Sequence, residues 1–330
     1  MQPFSYVRPA DAAAAIAAGH DASAKFLAGG TNLVDLMKGG VENPQRLVDI
    51  SRLPLAAIDE RSDGSVRLGA LARNSDTANH PLVRSRYPLL SKALLAGATP
   101  QLRNAATIGG NILQRTRCPY FYDATFRMCN KRDPGSGCAA IEGHNRMHAI
   151  FGASEHCVAT HPSDMCVALS ALDALVCLRG AAGERAVSMM DFHRLPGDDP
   201  QTETRLVPGE LIVAVNLPVS AFAEHCAYVK VRDRASFAFA IVSVAAAIAV
   251  RDDVITDARV ALGGVAHKPW RAFEAEQLLV DRRLDDDAFA EAADAAVAGA
   301  RPLRDNGFKV ELTKRAVLRA LRTASGSRTL

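Results

Sequence analysis

The stretch KFLAGGTNLVDLMKGG, residues 25–40, combines a short apolar run, a Gly-Gly turn and an apolar-periodic segment closed by a second Gly-Gly pair. Residues 25–28 read as a strand, 29–32 as a turn, and Leu33 to Met37 as the start of a helix that Gly39-Gly40 ends. Backbone N–H groups in such a turn can face one anion, and the following helix adds its dipole. Gly29 and Gly30 would let the backbone approach a phosphate, with Thr31 and Asn32 adding side-chain hydrogen bonds. The Lys-Ser/Thr of a P-loop and the G-x-G-x-x-G of a dinucleotide fold are both missing. On these residues alone a plain strand–helix turn with glycines at positive φ is the favoured reading. A second Gly-Gly turn in ATIGGN, residues 106–111, makes one diphosphate-bearing ligand spanning both turns a coherent picture.

Working outward, PADAAAAIAAG (9–19) is a helix capped near Pro9 or Asp11 and closed by Gly19. RLVDIS (46–51) and SVRLGAL (65–71) are short strands, and a helical stretch from Ser75 to Ala98 is divided by Pro81 and Pro88. THPSDMCVALSALDALVCLRG (160–180) gives a turn, a helix and a strand; PGELIVAVNLP (208–218) is a strand between prolines, and Pro218 marks a domain boundary. AYVKVRD, FAFAIVSVAAAIAV and ITDARVALGGV are three strands of a second sheet, followed by helices. Strands then helices imply helices packed on an antiparallel sheet, so the layout is α+β.

At 330 residues the chain is long enough for two or three domains. The formal net charge of +3, with both signs well mixed, provides no basic stripe for nucleic acid. The longest nearly apolar run, residues 237–250, falls short of the ~20 residues a membrane-spanning helix needs. The N-terminus does not read as a secretory signal, because Asp11 opens its Ala run.

CPYFYDATFRMCNKRDPGSGC, residues 118–138, holds three of the seven cysteines, and Cys157 follows in SEHCVATHPSD. The spacing is C-x10-C-x8-C-x18-C. Three uses compete: a 4Fe-4S cluster on four thiolates, a zinc site, or a disulfide-stapled loop. The absence of C-x2-C knuckles disfavours the commonest zinc pattern, although His144, His148, His156 and His161 leave a mixed cysteine–histidine zinc site open. Cys166, Cys177 and Cys226 lie in apolar surroundings and read as small buried hydrophobes, with Cys166 the rival for the fourth ligand position.

KFLAGGTNLVDLMKGG, ATIGGNIL, HPSD before an apolar helix, and ALGGVAHKPWRA (261–272) occur in an order that resembles the FAD-binding subunit of the xanthine dehydrogenase family of molybdenum hydroxylases. The cysteine insertion resembles that of the FAD/4Fe-4S subunit of bacterial periplasmic aldehyde oxidoreductases. The resemblance implies a two-part FAD-binding domain of the PCMH/vanillyl-alcohol-oxidase type over residues 1–218. An iron–sulfur insertion would occupy 115–160, and a small antiparallel-sheet-plus-helices domain 219–330. It implies that Ala28, Gly29, Gly30, Thr31, Asn32, Leu33, Val34, Asp35 and Leu36 hold the FAD pyrophosphate. Thr107, Gly110 and Asn111 would touch the flavin-side half, Asp164 would bond within the site, Ile212 would flank the adenine or ribose, and Lys230 would stand near the flavin ring. Read without the resemblance, Asp164 is a helix N-cap and Lys230 a solvated strand-edge cation.

The cluster ligands implied are Cys118, Cys129, Cys138 and Cys157. The chain would then pass electrons from 2Fe-2S centres on one partner, through FAD, to an external acceptor, while a molybdenum-cofactor subunit oxidises the aldehyde. Export to the periplasm would follow a partner's twin-arginine signal; a cytoplasmic complex would have the same sequence here. Rival readings are a self-contained flavin reductase, the flavin subunit of a hydroxybenzoyl-CoA reductase-like complex, and a zinc-stabilised scaffold. One departure from the pattern is DNGFKVELTKRAVLRAL (305–321), where Phe308 and Lys309 replace the Tyr-Arg of a Ser-x-x-Tyr-Arg motif. That points to subgroup-specific partner contacts at this helix.

Overall fold

The computed structural model describes residues 1–326, so the last four residues of the expected second domain lie outside the described residues. The first strands are β1 (Ser5–Val7), β2 (Ala24–Leu27) and β3 (Arg46–Asp49), which form a parallel sheet in the order β1-β3-β2. The helix Ala12–Ala18 connects β1 and β2; its N-cap is Asp11, whose carboxylate accepts from Ala14 N at 2.8 Å. The helix Leu33–Lys38 follows β2 and ends at Gly39.

A second sheet takes β4 (Ile58–Glu60), β5 (Val66–Gly69), β6 (Leu175–Gly180), β7 (Gly183–Ser188) and β8 (Leu211–Leu217) in the antiparallel order β4-β5-β8-β6-β7. The helical stretch breaks at both prolines, giving Asn74–Asn79, Pro81–Arg86 and Pro88–Ala96. Each proline sits at the start of a helix, where its missing N–H costs nothing. The second Gly-Gly pair is not the open turn expected: Gly109 and Gly110 lie inside the short helix Ile108–Ile112, capped by Thr107 Oγ1, which accepts from Gly110 N at 3.3 Å.

The third sheet comprises β9 (Cys226–Val231), β10 (Val242–Arg251), β11 (Val254–Gly263) and β12 (Trp270–Arg271), antiparallel in the order β12-β11-β10-β9. Residues 237–240, expected within a strand, precede β10 instead. Alternation along β10 explains its alanine richness. Val242, Val244, Ala246 and Ile248 pack with Val317, Ala320 and Leu321 of the helix Phe308–Ala324, while Ala245 and Ala247 enter the core of the first domain with Val167 and Leu169. The sheet is thus buried on both faces, and its small side chains let the helix Asp164–Ala171 lie close.

The cysteine insertion carries two short helices, Pro119–Tyr122 and Ala139–Glu142, and a bridge pairing Cys129 with Cys138. Buried Asn130 organises its NKRDPGSG turn: Oδ1 accepts from Gly135 N (3.0 Å) and Gly137 N (2.9 Å), and Nδ2 donates to His156 O (2.9 Å). Lys309 corrects the expectation of a partner contact. It is fully buried, and its ammonium donates to the carbonyls of His148 (2.9 Å), Gly264 (2.5 Å) and Met147 (3.5 Å). Asn306 Nδ2 donates to His148 O and Ala149 O, both at 3.2 Å. The insertion is therefore stitched to the C-terminal helix. Replacing Lys309 with Met removes the ammonium donor from the Gly264 and Met147 carbonyls and leaves His148 O with Asn306 alone, and stability to urea should fall by about 2 kcal/mol or more. An unchanged unfolding midpoint would contradict this role.

Candidate functional site

The β2–helix turn is shaped by close approach. A Cβ on Gly29 would meet the Ala105 carbonyl oxygen at 1.9 Å, and Gly30 takes φ +71°. Glycine at 29 thus lets the first lobe's turn touch the segment leading to Thr107. Among the described residues, the backbone N–H groups of Gly29, Gly30, Thr31, Asn32 and Leu33 donate to no acceptor. Five free donors in one glycine turn are the arrangement an anionic group requires. Asn32 turns its side chain the other way: Oδ1 accepts from Arg115 N (3.0 Å), and Nδ2 donates to Tyr122 Oη (3.3 Å). That links the turn to the start of the cysteine insertion.

This turn lines a cavity of about 480 Å³, a size suited to a cofactor. Of the expected cofactor residues, Ala28 to Leu33, Leu36, Thr107, Gly110 and Ile212 line it. Val34 packs beside Gly30, and Asp35 is exposed; neither lines the cavity. Asn111 is also outside the lining, its Oδ1 accepting from Ser163 Oγ at 2.7 Å and Gln114 Nε2 at 2.6 Å.

A smaller chamber of about 180 Å³ adjoins it and shares the wall residues Thr116, Thr160 and His161. Its lining includes Asp164, Arg117, Cys118 and His148. Asp164 begins the helix Asp164–Ala171, with Ser163 as N-cap, so the N-cap reading was one residue off. Its carboxylate accepts from Tyr228 Oη and Lys230 Nζ, both at 2.7 Å. Lys230 lines neither chamber; its ammonium also donates to Ala96 O at 3.1 Å. Far from being a solvated strand-edge cation, it is one half of a buried ion pair. Burial pushes the Tyr228 hydroxyl far above its ordinary range, and the neighbouring carboxylate adds to that, so the phenol stays a donor.

Several wall residues escaped the sequence reading. Glu203 lines the larger cavity, accepts from Lys131 Nζ (2.5 Å) and pairs with the Arg115 guanidinium (Nε at 2.6 Å), both cations coming from the insertion. Burial raises its carboxyl, but these two cations outweigh that and hold it below the ordinary range. Arg117 stacks on the Tyr122 and Phe239 rings. His193 and His267 line the larger cavity and are buried, which depresses them to about 4 and about 3. Only His267 stood in a quoted motif; nothing local in DFHRLPG marks His193.

Of the four loop cysteines, Cys118 lines the smaller chamber. Cys118 and Cys129 share one apolar cluster, Cys118 and Cys138 another, and the Cys138 and Cys157 thiols share a hydrogen bond. That bond lowers Cys138 and raises Cys157. All seven cysteines are free, and burial pushes the Cys118 thiol up to about 12. His148 Nε2 stands 3.1 Å from Cys118 Sγ. Among the described residues, no three of the loop thiols lie mutually within 4.8 Å. A single tetrahedral zinc would draw them to about 3.8 Å.

A two-part fold with a glycine-turn cavity and a following antiparallel domain defines a class of flavoprotein subunit. Residues 2–220 match the family described as "FAD binding domain in molybdopterin dehydrogenase", and residues 227–324 match "CO dehydrogenase flavoprotein C-terminal domain". The chain belongs to the FAD-binding subunits of the xanthine dehydrogenase-type molybdenum hydroxylases. It is 52% identical over 328 residues to the aldehyde oxidoreductase FAD-binding subunit PaoB of Escherichia coli K12, covering 98% of this chain and 99% of that one. It is 31% identical to the glyceraldehyde dehydrogenase medium chain of Sulfolobus acidocaldarius, over 92% of this chain and 90% of that one. A solved structure of carbon monoxide dehydrogenase from Hydrogenophaga pseudoflava superposes with a TM-score of 0.77 at 27% identity, covering 99% of each chain.

Gly29→Ala places its methyl on the Ala105 oxygen and so must spread the two lobes. FAD retained on purification should drop more than about tenfold (over ~1.4 kcal/mol). Gly110→Ala, whose Cβ meets only Thr107 Oγ1 at 3.1 Å, should lose far less. Equal retention in both variants would contradict the close-approach account.

Proposed function

We propose that this chain is the electron-transferring flavin subunit of a molybdenum-containing aldehyde oxidoreductase, carrying FAD and a 4Fe-4S cluster. The observation that carries the reading is the shared wall: the chamber holding Asp164 is lined by Cys118 and has Thr116, Thr160 and His161 in common with the glycine-turn cavity. Two redox centres would thus sit next to each other in one chain. The likeness to the Escherichia coli aldehyde oxidoreductase subunit supports the aldehyde assignment.

In this reading the free amides of Gly29 to Leu33 bind the FAD pyrophosphate, with Ala28, Val34, Asp35 and Leu36 framing the turn. Thr107 and Gly110 face the flavin-side half, Asn111 supports that wall through Ser163 and Gln114, Ile212 flanks the adenosine, and Asp164 lines the ring chamber. Lys230 acts through Asp164, fixing its carboxylate at the chamber wall by a buried ion pair. Bound FAD supplies the redox chemistry, so the chain needs no acid–base pair of its own. Cys118, Cys129, Cys138 and Cys157 hold the cluster. Their wide spacing in the sequence, without C-x2-C knuckles, supports a cluster over the commonest zinc pattern. Electrons arrive from 2Fe-2S centres on a partner, a molybdenum-cofactor subunit completes the heterotrimer, and an external acceptor takes them away. Export rides on a partner's twin-arginine signal.

In the assembled complex, anaerobic addition of an aromatic aldehyde should bleach the flavin absorbance. Cys138→Ser should lose its iron and keep its FAD. A flavin reduced by NADH but not by aldehyde would sink this reading in favour of a self-contained reductase.

A further inference from the structure

Apart from the loop thiols, one cluster of metal-ligating side chains stands out. His161, Cys166 and His193 each offer a ligand atom, all within 4.8 Å of one another, and all three residues are buried. It is the one such group among the described residues. The two imidazole rings lie 4.2 Å apart between centroids.

The histidines are arranged as ligands usually are. His193 Nε2 lies 2.9 Å from the Ile112 carbonyl, an acceptor, so Nε2 carries the proton and Nδ1 keeps a free lone pair. Imidazoles that bind metals commonly donate their second nitrogen to a backbone carbonyl in this way. His193 Nδ1 and His161 Nε2 are sealed from solvent without any hydrogen-bond partner, as are both nitrogens of neighbouring His267. Burial holds all three imidazoles neutral, the form that coordinates a cation. Leaving so many buried acceptors and donors unmet is costly in a packed interior.

We propose that His161, Cys166 and His193 form a structural zinc site in the wall of the larger chamber, with Cys166 set behind its lining. Two imidazole nitrogens and one thiolate are the donor set that a borderline ion such as Zn2+ selects. Zinc bonds of about 2.0–2.3 Å put ligand atoms about 3.5 Å apart, so the set needs to close by about an ångström. On binding, the Cys166 S–H bond gives its proton to solvent, the sulfur bonds zinc, and no electron moves. Water or His267 takes the fourth position. The ion would pin the HPSD turn, which positions Asp164, to the segment after the helix Met189–Phe192. This also separates Cys166 from the loop four, for which it was the rival ligand.

The test uses the full chain in its FAD- and iron-loaded complex, dialysed against one equivalent of Zn2+ and then against buffer. Metal analysis should give about one zinc per chain. Its X-ray absorption fine structure should show one sulfur and two or three nitrogen or oxygen neighbours. Cys166→Ala, which removes one atom from a residue lining neither chamber, should lose that zinc while FAD and iron stay unchanged. His193→Phe should lose it too, and Zn2+ should raise the melting temperature of the parent chain only. No retained zinc, a four-sulfur zinc shell, or zinc kept by Cys166→Ala would each overturn the proposal. Because FAD and iron are counted separately, loss of the flavin or cluster reading would appear as a different result.

Discussion

The approach of Gly29 to the Ala105 carbonyl is the contact on which the rest of the site depends. It joins the turn of a parallel sheet to the chain entering the second glycine pair, two segments that share no strand pairing. No other residue type could stand there without pushing backbone against backbone. Once the turn is held, its amides face the cavity, and Asn32 on the same turn fixes Arg115 and Tyr122 at the mouth of the cysteine insertion. The geometry of the flavin chamber and the position of the thiols thus have a common origin.

A second constraint crosses the domain boundary. Asp164 belongs to the first domain and Lys230 to the third sheet, and their buried pair places a fixed carboxylate in the smaller chamber. A buried pair gains little net stability over apolar packing, but losing one partner strands a charge. Its worth here is positional. The alanine-rich β10 makes it possible by letting the helix Asp164–Ala171 lie flat on the sheet. Lys309 does the corresponding work for the insertion, tying the Met147 and His148 carbonyls within it to the C-terminal helix and to Gly264.

Much of this was legible in the sequence where local rules govern. The Asp11 cap, the breaks at Pro81 and Pro88, the first glycine turn and the order of strands and helices after Pro218 are consequences of neighbouring residues. What local rules do not encode was missed. Thr107 caps a helix that swallows the second glycine pair, because its partner N–H is three residues away and the flanking pattern is too short to be periodic. Lys309 read as part of a partner contact because its acceptors come from residues about 45 and 160 positions distant. His161 and His193 meet only through the packing of the first domain, and the Lys131–Glu203 pair likewise spans 72 positions.

The proposal of one chain carrying a flavin and an iron–sulfur centre side by side is directly testable. Anaerobic purification followed by iron and FAD quantitation, with electron paramagnetic resonance after dithionite reduction, tests it most directly. The account predicts about four irons and one FAD per chain, beyond those of any partner, and a signal from a reduced 4Fe-4S cluster. A chain with FAD but zinc in place of iron on the loop cysteines would contradict it.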